Sequence, residues 1–282
     1  MIPAVCWGGS RSLAGPANGH VAPAAFQHAG AGAAPPAGAG YPDTVIPQAV
    51  VGQPENPAVR KFDQAITFYQ SCNHRPMVAN MSRGSGLPAI QGTIALRPGV
   101  YGKAMLTGKA AVGYAAHGNI NLARSGSLAI WLCAYHWQPL KKHLPYMFFL
   151  EINDHGRQLL IGRMGVRQNH EALEVYLAGG KKSVCLVPGN TLRWKSRQWH
   201  LLVVNWTDSS LAVSLDGHVW LQSAPTWLSH IHGQAGQLTL GDATDPVNQR
   251  CLLDELLVLN RPMSMAEVRW LYRQPRLRHP SR

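Results

Sequence analysis

The 282 residues carry a formal net charge of +12, enough to attract anionic partners at low salt, and are long enough for one large all-β domain or two small ones. No window spans a bilayer. The five cysteines, Cys6, Cys72, Cys133, Cys185 and Cys251, are odd in number and widely spaced, which excludes a dense disulfide scaffold or a zinc ribbon and predicts buried free thiols.

Residues 1–58 hold only Arg11, Asp43 and Glu55 as charges and are crowded with Ala, Gly and Pro, so they are expected to form a disordered, flexible leader or linker. Pro23 interrupts the apolar run there, and no basic region precedes it, so no secretory signal is visible in the sequence as written. From Lys61 the texture changes, and the nine tryptophans concentrate beyond position 130. Residues 65–69 read as a first strand, followed by a polar loop from Cys72 to Pro88. Residues 93–96, 103–106 and 119–122 read as short strands punctuated by Pro98-Gly99, Gly108 and Gly113.

Residues 127–135 are apolar almost without a break, as a strand covered on both faces requires. Residues 146–153 and 158–163 flank the hairpin signal Asp154-His155-Gly156, and residues 172–177 lead into a turn at residues 179–182. Residues 199–206 and 211–220 alternate as consecutive antiparallel strands, with Asp216-Gly217 supplying the positive-φ pair of a tight turn. Residues 237–241 and 252–259 complete the strands. A closing helix is marked by Ser264 as cap, Glu267 as its capping-box partner, and Val268, Leu271 and Tyr272 as the apolar stripe. The fold class that follows is all-β: a two-sheet antiparallel jelly-roll sandwich with one short C-terminal helix, spanning residues 59–273 and ending in a basic tail, 274–282.

Three blocks resemble the concanavalin A-like lectin/glucanase superfamily, in particular its laminin G-like jelly-roll domains. They are Gly126 to Trp131, Trp199-His200 through Asp216-Gly217, and Leu253-Asp254-Glu255 through Ser264, Glu267 and Leu271-Tyr272. The resemblance covers about residues 62–273. It implies a carbohydrate-binding or adhesive module, often calcium-associated and often part of exported proteins, so an extracellular or cell-surface setting is expected. It also implies that Asp254-Glu255 is mainly architectural.

A glucanase of that superfamily needs two carboxylates converging on one bond. Glu151 with Asp154, Glu171 with Glu174, and Asp254 with Glu255 all have spacings that put the two acids on opposite faces of a regular strand, so no catalytic residue is assigned. For calcium the candidate ligands are Asp242, Asp245 and Asp254, at one sheet edge. For a sugar, whose apolar faces stack on indoles, the candidates are Tyr135, His136 and Trp137 at the end of the apolar strand, and Trp227 in a loop. The expected function is non-catalytic recognition of a glycan, polysaccharide or anionic surface. The alternatives are a structural or protein-interaction module of an envelope assembly and, less favoured, a glycoside hydrolase. The arginine-rich tail adds possible contacts with anionic polymers.

Overall fold

The structure, a computed structural model, describes residues 56–135, 137, 147–167, 170–191, 194–225, 233, 236–243 and 250–278. The expected leader up to residue 55, His136, Trp227, Asp245 and the last four residues of the tail lie outside the described residues. Two antiparallel sheets make the fold. In one, β14 (Leu221–Ser223), β13 (Leu211–Leu215), β12 (Trp199–Trp206), β7 (Gly126–Tyr135), β16 (Arg250–Leu259), β1 (Ile66–Gln70) and β2 (Met81–Ser82) lie side by side. In that sheet β5 (Lys103–Leu106) also pairs with β16, and β4 (Ala95–Pro98) with β5. We call this sheet A.

Sheet B runs β11 (Lys182–Asn190), β10 (His170–Gly179), β9 (Arg157–Arg167), β8 (Met147–Asp154), β15 (Gln237–Leu240), β6 (Ala110–Ala115) and β3 (Ala89–Gly92). Strands distant in sequence, β7 with β16 and β8 with β15, lie next to each other, as in a jelly-roll.

Alternation sorts the side chains. Leu128, Ile130 and Leu132 of β7 and Leu202 and Val204 of β12 face the inter-sheet core, where they meet Leu150, Ile152, Leu159, Ile161, Leu173 and Val175 of sheet B. Burying each such side chain stabilises the fold by about 1.5–3 kcal/mol. The other face of sheet A is covered as well. Ala129, Trp131, Leu201, Val203 and Leu257 form a second apolar layer with residues of two helices. This explains why β7 lacks a polar side: nine of its ten residues are buried.

The closing helix α2 (Met265–Arg278) carries the expected capping box. Ser264 Oγ accepts from the Glu267 amide, and Glu267 Oε2 accepts from the Ser264 amide at 2.8 Å. The Arg261 guanidinium, followed by the Ser264 donors, holds the Glu267 carboxyl down to about 2. Buried Asn205 brackets the approach to the helix, donating to Met263 O at 2.8 Å and accepting from Met263 N at 3.0 Å. A further short helix, α1 (Pro57–Phe62), precedes β1. Asn56 caps it, and it buries Ala58 and Phe62 against sheet A. The compositional boundary between residues 58 and 59 therefore falls inside α1. No helix among the described residues is long and apolar enough to cross a membrane.

Several strand readings shift. Residues 119–122 form a turn, because the Asn119 side chain accepts from Gly84 N and donates to the Ser85 and Ala115 carbonyls, a local side-chain to backbone pattern that competes with a ladder. The strand of that region is β6, and the residues read as a polar loop include β2. Strands β3, β11 and β14 are additions to the sequence reading, and the strand read over 211–220 ends at Leu215. The turn at Asp216 and Gly217 has the expected positive φ at both residues, 55° and 74°.

Candidate functional site

Sheet A is covered on both faces, but no element among the described residues packs on the outer face of sheet B. Its register lines up two polar rows. Tyr176, Leu160, Glu151, Thr239 and Gly113 lie side by side across β10, β9, β8, β15 and β6; next to them run Ala178, Gln158, Asn153, Gln237 and Ala115. Neighbouring strands are about 4.8 Å apart and successive outward residues about 6.8 Å, so the rows form a strip on the scale of a short oligosaccharide.

The strip is organised before any ligand arrives. Glu151 Oε1 accepts from Asn153 Nδ2 at 2.7 Å and from Gln158 Nε2 at 2.8 Å, so three polar side chains hold one another in place. The Gln237 amide lies over Gly113, where a Cβ would overlap its Nε2. Glycine at 113 is thus what lets that amide lie flat. Tyr176 stands half-buried at one end of its row, beside Cys185, which donates its thiol to Glu174 at 3.2 Å. An aromatic ring beside fixed carboxylate and amide groups can stack on an apolar face while bonding hydroxyls at its edge.

The aromatic residues singled out in the sequence occupy a different place. Trp137 stacks on Phe149 (5.9 Å) and on Trp194 (5.4 Å), lies under the Arg163 guanidinium, and donates its indole N–H to Arg250 O at 2.7 Å. Trp194 stacks in turn on His200, whose Nδ1 lies 2.7 Å from Asp216 Oδ2. Burial pulls the Arg163 guanidinium down to about 10. Trp137, expected as a stacking surface, is a half-buried ring engaged in this ladder. Tyr135, at the end of β7, packs against the small cluster of Ala104, Leu106, Cys133 and Leu252. Neither side chain belongs to the strip.

The acids divide in an instructive way. Glu151 points out of sheet B while Asp154 is buried, accepting from Leu122 N at 2.8 Å, so that pair faces opposite sides as expected. The pair Asp254 and Glu255 departs from expectation. A bulge shifts the register between Asp254 and Leu257, Glu255 takes φ 55°, and both carboxylates turn to the same outer side of sheet A. Asp254 Oδ2 accepts from the Val100 amide at 2.7 Å and the Tyr101 amide at 3.3 Å, while Glu255 Oε2 accepts from Tyr69 and from Asn56.

With exposures of 0% and 2%, this pair lies sealed under α1 and the turn at residues 99–102, out of a substrate's reach. Burial pushes both carboxyls up, and for Asp254 the neighbouring Glu255 adds to the push. Of the calcium candidates, Asp254 is committed to this anchor. Asp242 lies at the end of β15, where its carbonyl accepts from Gly108 N. Among the described residues no three His, Cys, Asp or Glu side chains gather as metal ligands would. Cys72, Cys133 and Cys251 are buried free thiols, and Cys185 is a half-buried one.

No protein-family model matches the chain, and neither does any curated protein. Solved structures do match, at the level of fold. The binding domain of botulinum neurotoxin DC, in complex with rat synaptotagmin II, superposes with a TM-score of 0.60 at 9% identity over 76% of this chain and 52% of that one. The botulinum neurotoxin serotype D ligand-binding domain, in complex with N-acetylneuraminic acid, gives 0.58 at 10% identity over 76% and 52%. Domain 4 of a family 43 extracellular arabinanase from Geobacillus stearothermophilus, in complex with arabinotriose, gives 0.52 at 17% identity over 74% of this chain and 99% of that one. The chain spans about half the length of the toxin domains it matches. These similar structures are binding domains built as β-sandwiches, and the likeness is one of architecture.

Proposed function

We propose that this chain is a non-catalytic carbohydrate-binding module of the concanavalin A-like type, and that its ligand lies along the open face of sheet B. The observation that carries the reading is the Glu151–Asn153–Gln158 cluster, fixed by its own hydrogen bonds and set two strands from Tyr176 on a face that nothing described covers. A site built this way binds without reorganising, because its polar groups are already aimed outward and partly paired. The sealed state of Asp254 and Glu255 supports the same reading, since this adjacent pair of acids is buried. Two of the similar structures hold a saccharide, arabinotriose or N-acetylneuraminic acid, on the same general architecture.

The test is a glycan array followed by titration calorimetry on the strongest neutral oligosaccharide. Glu151→Ala removes the acceptor that holds Asn153 and Gln158, and Tyr176→Ala removes the ring. Each is expected to weaken binding about tenfold, the worth of one good hydrogen-bonding or stacking contact. Unchanged affinity in both variants would move the ligand off this face. Silence across the array, with capture of a protein that both substitutions abolish, would assign the face to a protein ligand instead; one similar toxin domain is in complex with rat synaptotagmin II.

A further inference from the structure

On the opposite side of the molecule, over sheet A, an open groove of about 560 Å3 runs between α1 and the turn that leads from β16 to α2. Its walls are unlike the strip. Arg60, Lys61 and Arg261 line it together with Asp63, and Arg83 joins them by donating to the carbonyl of Gln64, another wall residue. Arg261 and Glu267 cancel each other through a two-point ion pair at 2.8 and 3.1 Å, which leaves Asp63 as the acid among the wall residues.

The bonds that orient Arg83 run to the carbonyls of Gln64 and Ile66, so they fix the guanidinium without neutralising it. Lys61 Nζ sits 4.7 Å from the centre of the Trp270 ring, a placement that holds the ammonium by a cation–π contact and likewise leaves its charge in place. Arg273 follows one turn after Trp270 on the same side of α2, and it is exposed. Arg60 and Lys61 thus stand in the groove wall with Arg83 and Arg273 nearby, next to the buried Phe62 ring and its half-buried neighbour Trp270.

We propose that this groove is a second binding site, for the acidic group of a saccharide, a sulfate or a uronate carboxylate. The sign of the charge excludes the strip as that group's seat, because Glu151 and Glu174 stand on the outer face of sheet B. A groove of this volume, bordered by fixed cations, accommodates the charged end of one or two sugar units. That the anion is carried by a saccharide rests on the function proposed above; the charge of the groove does not.

Calorimetry on the full chain with three probes tests it: a sulfated hexasaccharide, its desulfated counterpart, and a single-stranded oligonucleotide of matched charge. The sulfated probe is expected to bind at least tenfold more tightly than the desulfated one, with a steep loss on raising salt. Lys61→Glu with Arg273→Glu should cost about tenfold on the sulfated probe and Lys61→Gln a smaller factor, both leaving the affinity of a neutral glycan unchanged. Tyr176→Ala should do the reverse, so failure of one site is separable from failure of the other. Retention of sulfated-probe binding by the charge-reversed chain overturns the site, and so does a loss seen only when Arg282 is replaced. Equal affinity for the oligonucleotide, lost in the same variants, reassigns the groove to nucleic acid.

Discussion

Glu255 stands where a regular strand would have turned it into the core. The bulge turns it outward beside Asp254 instead, and two carboxyls share one dry compartment. Burial pushes both up, so the folded chain keeps protons on the pair where the unfolded chain, with ordinary carboxylates near pH 4, has lost them. The pair's contribution to stability is therefore full in acid, below the unfolded values, and is lost as pH rises through the raised folded values. In Glu255→Gln the amide oxygen still accepts from Tyr69 and Asn56, and the side chain stays neutral at every pH. Thermal unfolding at a series of pH values should show the variant matching the wild type near pH 4 and exceeding it by about 3 °C or more at pH 8. A wild-type curve that keeps rising toward pH 8 relative to Glu255→Gln would mean the acids are not held protonated.

At the scale of elements, α2 depends more on the buried bracket before it than on its cap. Ser264→Ala removes a cap that is open to solvent and should cost about 1 kcal/mol. Asn205→Ala leaves both the N–H and the C=O of Met263 buried without their partner and should cost about 2–4 kcal/mol. Urea unfolding of the two variants tests that order, and an equal or reversed cost would show that the bracket does not hold the helix. The helix was legible because a capping box is a local signal, and β7, β12 and β16 because long apolar runs admit few alternatives. Strands β3 and β11 were not: β3 is four exposed residues ending in a glycine, and β11, though it follows β10 by a tight turn, carries Pro188 and Gly189 against strand character. The strip was half legible: the marked turn at His155-Gly156 sets Asn153 opposite Gln158, but the rows that continue across β10, β15 and β6 join strands distant in the chain, which no local pattern encodes. Trp137 shows the converse: its type suggested a ligand surface, while its position in a stacked ladder depends on Phe149 and Trp194 from other segments.

For the whole molecule, the question is where the folded unit begins. Composition places a change near residue 58, yet Asn56 is 3% exposed, accepts from Ala58 N through its own side chain, and donates to Glu255, 199 residues further along. Phe62 is buried in the outer layer of sheet A and meets Trp270 edge-on at 6.2 Å. Residues 56–62 are thus tied to the last strand and the last helix at once, and α1 belongs to the sandwich. Compared with a chain starting at residue 56, one starting at residue 64 loses the burial of Ala58 and Phe62 and the bond to Glu255, about 3–5 kcal/mol together, and should melt about 10 °C lower. Because α1 also forms one wall of the basic groove, the shorter chain should lose binding of the sulfated probe while still binding the neutral glycan on sheet B at a temperature where both are folded. Equal melting of the two chains would show that α1 rests on the sandwich without holding it together, and would restore residue 59 or later as the start of the unit.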